Sequence, residues 1–111
     1  MKTSALPEDV AVARQFAQEL RSKLGDALKR AVLFGSRAKG TALPGSDYDI
    51  VVVLARRDRN TMEQIYDDAL EVLLQNGVDL SVKVYAEADF RRKMKLGTPF
   101  MAEIQQTGID L

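Results

Sequence analysis

The chain has 111 residues, of which 46% are hydrophobic and 29% charged, and this composition is that of a globular domain, not of a disordered chain. Its 16 basic residues equal its 16 acidic residues, so the total charge gives no support to binding of long nucleic acids. Histidine and cysteine are both absent, which excludes disulfides, thiolate or imidazole zinc sites, cysteine nucleophiles and Ser-His-Asp triads.

The length predicts one domain spanning residues 1–111. The longest apolar run, residues 50–55, is far shorter than the roughly 20 residues that a membrane helix needs. We therefore expect no membrane association and a cytoplasmic location.

The first half of the chain predicts a helix, a strand and a long loop. Apolar residues recur every three or four positions over residues 7–24, and Gly25 ends this helical pattern. The apolar run at residues 31–34 predicts a short buried strand. Residues 35–47 contain three glycines and a proline, so we expect a loop with one helical turn opening at Ser36.

The second half begins with a valine-rich run, residues 48–54, which predicts a central strand covered on both faces. A helix is expected to start at Thr61, with Gln64 in the capping-box position, and to stop at Gly77. Residues 78–85 alternate between apolar and polar, which predicts a third strand with unlike faces.

Two further helices are predicted at residues 87–96 and 99–106, the second ending at Gly108. The order of elements indicates an α/β (α+β) fold. We expect a small mixed sheet with the functional site at one end and helices packed on one side.

Two aspartates at the start of the central strand are the first candidates for chemistry. Asp47 and Asp49 are two residues apart, so they leave the same face of the strand while Tyr48 points to the other face. Asp79 comes just after the second helix and could join them if the two strands lie side by side. Carboxylates without histidine favour hard cations such as Mg²⁺.

Each of these residues also has a plain structural reading. Asp47 alone could be a turn residue after Pro44-Gly45, and Asp79 could lie on a solvated strand face. Asp49 is different, because a carboxylate inside an apolar strand is costly unless it is paired or bound to a metal. The arginines and lysines at 56–59 and 91–95 are expected to be solvated, and we assign them no role.

Gly35-Ser36 precedes the aspartates and offers a backbone that a phosphate could approach, with a hydroxyl beside free amides at a helix start. Gly35-Ser36, ten intervening residues and then Asp47-Tyr48-Asp49 resemble the signature of the polymerase-beta-like nucleotidyltransferase superfamily. The stretch from Gly35 to Ile50 is similar to that of its minimal nucleotidyltransferases (MNT), and the resemblance covers nearly the whole chain.

The resemblance implies that Gly35 and Ser36 contact the triphosphate of ATP or another nucleoside triphosphate. It also implies that Asp47, Asp49 and Asp79 are catalytic and bind Mg²⁺, with two ions expected. Arg37 lies beside the phosphate loop, and we expect it to neutralise charge on the leaving pyrophosphate.

Minimal members of this family pair with a helical HEPN toxin, so the resemblance implies an antitoxin that transfers AMP to a hydroxyl of that partner. Two alternatives stay open from the sequence. One is a non-catalytic antitoxin that acts by occlusion alone, and the other is the catalytic subunit of a two-chain small-molecule nucleotidyltransferase.

Overall fold

The computed structural model describes residues 4–111. Along the chain come α1 (Pro7–Leu24), β1 (Leu28–Phe34), α2 (Gly35–Lys39), β2 (Tyr48–Leu54), α3 (Arg59–Asn76), β3 (Leu80–Ala86), α4 (Glu87–Leu96), α5 (Pro99–Thr107) and β4 (Ile109–Asp110). The predicted α/β fold with a mixed sheet is confirmed. No helix in the described part of the chain is long and apolar enough to cross a membrane.

The four strands of residues 4–111 form one sheet in the order β3-β2-β1-β4. β2 lies at its centre, antiparallel to β1 and parallel to β3, because α3 carries the chain back to the starting edge. This arrangement places the first residues of β2 and β3 at the same end of the sheet, next to the last residues of β1. The end of the sheet that carries Asp49 is therefore also the end where β1 leads into α2.

Helices cover both faces of the sheet, so the expectation that they pack on one side is wrong. On one face, Ile50 and Val52 of β2 pack with residues of α1 and α3, such as Phe16 and Ile65. On the other face, the alternate β2 residues pack with α4 and α5, which contribute Phe90, Met101 and Ile104. Since successive strand residues point to opposite faces, a strand that is apolar at nearly every position needs a cover on each.

Several strand boundaries in the structure differ from the predicted ones. β1 starts at Leu28, three residues before the predicted strand, and β3 runs from Leu80 to Ala86 rather than over 78–85. The two-residue strand β4 was not predicted, because such a short segment has no recognisable period.

The predicted start of α3 at Thr61, with a capping box to Gln64, is also wrong. The helix starts at Arg59, and Asp58 caps it, since its carboxylate accepts a hydrogen bond from the Thr61 backbone N–H at 2.9 Å. Asp58 and Thr61 are both good capping residues, and the carboxylate three residues upstream is the one used.

Candidate active site

The site is built where β1 leads into α2 and faces the start of β2. Phe34 pairs with Asp49 across the two antiparallel strands, and Gly35 follows Phe34 as the first residue of α2. Gly35 has φ +74°, a left-handed conformation that glycine adopts without strain. The predicted helical turn is therefore present, and it opens at Gly35 instead of Ser36.

The side chain of Asp49 lies directly against the Gly35 backbone. A β-carbon added to Gly35 would overlap Asp49 Oδ2 and would lie 3.2 Å from its Cγ. No other residue type fits this position without displacing the carboxylate. The glycine and the aspartate of the motif are thus in contact, although 13 residues lie between them.

Asp47 directly precedes β2 and Asp49 is the second residue of β2, so strand alternation predicts that the two face the same side of the sheet. Tyr48 packs into the core beneath α1 and α3, whereas the alternate residues of β2 belong to the face covered by α4 and α5. Asp47 is exposed and Asp49 is half-buried. Burial, and after it the negative charge of Asp47, raises the pKa of the Asp49 carboxyl.

Asp79 lies beside this pair in the backbone register. It directly precedes β3, and its carbonyl accepts a hydrogen bond from the Tyr48 N–H at 2.9 Å. Since Asp49 pairs with Ser81, Asp79 has the same strand parity as Asp47 and Asp49. Its side chain is exposed.

The three aspartates do not form a closed metal cage. Within residues 4–111, no group of three or more carboxylates or other ligating side chains stands close enough together to hold a metal ion. The donor set nevertheless suits Mg²⁺, since oxygen ligands alone are present and a divalent cation would balance the neighbouring carboxylates. The metal-binding role of Asp47, Asp49 and Asp79 stays a prediction.

Charged residues that sequence reasoning did not assign surround Asp49. The positive charge of Lys83 lowers the pKa of Asp49 while the negative charge of Glu103 raises it, both less than burial does. Glu103 in turn forms an ion pair with Lys39 at 2.7 Å. The alternation of β3 could have identified Lys83, which shares the parity of Asp79, but Glu103 reaches the site only through the packing of α5.

The Arg37 side chain contacts other residues of the same chain. Its guanidinium contacts the Asp9 carboxylate, donates to the Ser46 carbonyl and stacks over the Tyr48 ring. Of these partners, Tyr48 packs into the core on the face of β2 opposite to Asp49. The predicted contact of Arg37 with the triphosphate stays a prediction, as do those of Gly35 and Ser36.

A broad surface depression lies at the other end of the sheet. It is lined by residues that follow β2 and β3, among them Arg57, Met62 and Asp89. The length of β2 separates it from Asp49, roughly 20 Å at about 3.3 Å per residue. Its three carboxylates, Asp58, Glu63 and Asp89, each accept a hydrogen bond from a neighbouring residue of the chain, so we place the candidate site at the Gly35–Asp49 contact instead.

The chain is similar to known proteins over most of its length. Residues 13–104 match the family described as "Nucleotidyltransferase domain". The matched range includes Gly35, Asp47, Asp49 and Asp79.

Two curated relatives from Methanocaldococcus jannaschii bear the name "Putative protein adenylyltransferase". MJ1305 is 36% identical over 70 residues, which are 60% of this chain and 48% of the relative. MJ0604 is 31% identical over 81 residues, 73% of this chain and 77% of the relative. The chain thus spans about half the length of MJ1305.

A crystal structure of a toxin-antitoxin with AMP-PNP has a similar fold, with a TM-score of 0.56 and 21% identity, covering 86% of this chain and 69% of the other. The matched family spans most of the chain, and the second relative exceeds 30% identity over more than two thirds of it. The chain therefore belongs to the nucleotidyltransferase domain family.

Proposed function

We propose that this protein transfers AMP from ATP, with Mg²⁺, to a hydroxyl group of a partner protein. The single observation that carries the proposal is the contact of the half-buried Asp49 carboxylate with Gly35. Burial, and after it the charge of Asp47, raises the pKa of the Asp49 carboxyl, and carboxyls perturbed in this way are common at functional sites. The matched family indicates the class of reaction.

In the proposed reaction, a hydroxyl oxygen of the acceptor attacks the α-phosphorus of ATP. A new O–P bond forms, the bond to the pyrophosphate oxygen breaks, and the hydroxyl proton leaves with Asp79 as its proposed acceptor. Bound Mg²⁺, held by Asp47, Asp49 and Asp79, would neutralise charge on the phosphates and orient them for in-line displacement.

The backbone at Gly35 and Ser36 is proposed to bind the triphosphate. Without a β-carbon, Gly35 leaves the approach to its backbone open on the side where Asp49 lies. Ser36 is half-buried in the first turn of α2, next to that contact. The two residues would place the triphosphate beside the carboxylates, and positioning of this kind supplies most of the catalysis of phosphoryl transfer.

The proposed partner is a toxin of the HEPN type, with this chain as its antitoxin, in the cytoplasm. The names of the two curated relatives favour a protein as acceptor. The similar solved fold comes from a toxin-antitoxin structure that contains an ATP analogue. Together with the carboxylate pair, these likenesses favour a catalytic antitoxin over one that acts by occlusion.

The test is incubation of the protein with Mg²⁺, radiolabelled ATP and the protein encoded by the adjacent gene. We expect label from α-labelled ATP on the partner and none from γ-labelled ATP, because the α-phosphate is the group transferred. Asp49→Asn should abolish labelling, while Asp67→Asn, which changes an exposed aspartate on α3, should leave it intact.

The distribution of label separates the alternatives. Label on a small molecule would indicate the two-chain small-molecule enzyme. Absence of label with wild-type protein, together with inhibition of the toxin by Asp49→Asn, would establish occlusion and overturn the proposal.

A further inference from the structure

A buried charged cluster lies behind the carboxylates, on the opposite face of β2. It consists of Asp9 in the first turn of α1, Arg37 in α2 and Tyr48 in β2. Asp9 is 4% exposed and Tyr48 is 8% exposed. The Tyr48 hydroxyl donates to Asp9 Oδ1 at 2.9 Å, and Arg37 Nη1 lies 3.3 Å from the same oxygen.

Arg37 links this cluster to the loop that precedes Asp47. Its Nη2 donates to the Ser46 carbonyl oxygen at 2.8 Å, and its Nε lies 3.3 Å from the same atom. The Ser46 carbonyl belongs to the peptide group that joins Ser46 to Asp47. The guanidinium also lies over the Tyr48 ring, 4.4 Å from its centroid.

The three side chains therefore hold the backbone on both sides of Asp47. Arg37 holds the peptide group before it, and Asp9 holds Tyr48, the residue after it. The Tyr48 N–H completes the arrangement by donating to the Asp79 carbonyl at 2.9 Å. Asp47 itself is exposed, so little packing of its own side chain fixes its position.

The cluster is not on the face of β2 that carries Asp49. Tyr48 points into the core beneath α1, whereas Asp49 lies on the other face, against Gly35. Asp9 is buried and Arg37 is partly buried. Burial of charges is costly, and apolar residues of similar size often give equal or greater stability. A role in holding the site explains why this position carries charges instead of an apolar cluster.

We propose that Asp9, Arg37 and Tyr48 are positioning residues that fix the Asp47 carboxylate relative to Asp49 for cation binding. This inference rests on the proposed function of the same site. It differs from the sequence-based role of Arg37, because a phosphate-binding arginine would not require Asp9 or the hydroxyl of Tyr48.

The test measures Mn²⁺ binding to the free protein by electron paramagnetic resonance, and the Mg²⁺ concentration that gives half-maximal transfer activity. The variants are Asp9→Asn, Tyr48→Phe and Arg37→Gln, with Arg37→Lys as the conservative replacement. We expect each of the first three to weaken Mn²⁺ affinity and raise the Mg²⁺ requirement about tenfold or more, because residues that orient metal ligands have effects of this size.

Further readouts separate positioning from phosphate contact. Positioning predicts a KM for ATP that stays within about twofold of wild type at saturating Mg²⁺, and partial rescue by Arg37→Lys, whose charge still faces Asp9. It also predicts that Asp9→Asn combined with Arg37→Gln is no worse than the more severe single variant, since the two residues act as a unit.

Lys23→Gln is the matched control, because Lys23 forms an ion pair at 2.8 Å with the buried carboxylate of Asp68, between α1 and α3 and away from the site. It should lower stability without changing Mn²⁺ affinity. The proposal is overturned if folded Asp9→Asn and Tyr48→Phe bind Mn²⁺ like wild type, or if Arg37→Gln alone has an effect and acts on the KM for ATP.

The proposed function can fail separately from this inference. Wild-type protein that binds Mn²⁺ but transfers no nucleotide would refute the function, while the effect of Asp9→Asn on Mn²⁺ affinity would still decide the positioning role. Circular dichroism spectra of all variants identify any that do not fold. If Tyr48→Phe is one of them, Asp9→Ala supplies the same measurement, since it removes the acceptor of that hydrogen bond.

Discussion

Replacement of Gly35 by alanine tests the contact on which the site depends. Two separate costs are expected in the folded protein. An alanine with φ +74° carries left-handed strain of about 1–2 kcal/mol. The new β-carbon would also overlap Asp49 Oδ2, and relieving such an overlap in a packed position costs about another 1–3 kcal/mol.

The control variant Gly77→Ala measures the cost of backbone strain without the cost of overlap. Gly77 has φ +69°, close to that of Gly35, but an added β-carbon there would meet no atom within 4 Å. This variant should lose only the strain energy, about 1–2 kcal/mol. Gly35→Ala should therefore be the more destabilising of the two by about 1–3 kcal/mol, the cost of the overlap.

A double-mutant cycle assigns the difference to Asp49. Asp49→Ala removes the carboxylate and leaves Cβ as the only side-chain atom at position 49. This Cβ would lie 3.4 Å from the β-carbon added at Gly35, which is an ordinary contact distance. Gly35→Ala should then cost no more than Gly77→Ala does. The measurement is urea unfolding followed by circular dichroism, in metal-free buffer at neutral pH.

Equal costs for Gly35→Ala in the wild-type and Asp49→Ala backgrounds would refute the reasoning, because the overlap with the carboxylate would then contribute nothing. In the transfer assay, Gly35→Ala should lose activity while Gly77→Ala keeps it. An active Gly35→Ala variant would show that the reaction does not need this close approach.

Three other predictions concern stability. Asp58→Ala should lower the melting temperature at neutral pH. Hydrogen bonds from Thr61 lower the pKa of Asp58 below its ordinary 3.8, so its contribution is present above about pH 4 and is lost as the pH falls through the lowered value; an unchanged difference at pH 2 would contradict this. Ile104→Ala should cost about 2–5 kcal/mol in urea unfolding if the α4/α5 face is true core, whereas Leu74→Ala, at a residue 76% exposed, should stay within about 0.5 kcal/mol. Lys23→Gln should lower the urea midpoint by leaving the buried Asp68 without its cation, and adding Asp68→Asn should recover part of the loss; no recovery would show that the ion pair is not the cause.

Much of the fold and of the candidate site could be predicted from the sequence because the main signals are local. The two-residue spacing of Asp47 and Asp49 places both on one face of a strand, and the valine run between 50 and 54 marks that strand as central. Glycine at 35 is needed where the backbone has positive φ, and the motif points to that position without any coordinates. The motif formed by these residues resembles that of a known family, and the match over residues 13–104 confirmed the family.

Tertiary structure alone decided which distant residues meet. The parallel pairing of β2 with β3 brings the Asp79 backbone to Tyr48, and the packing of α1 brings Asp9 to Arg37 across 28 positions of sequence. Local periodicity shows that a helix has a buried face, but not which face of the sheet that helix will cover. This is why the cover on both faces, and the partners of Arg37, emerged only from the packed structure.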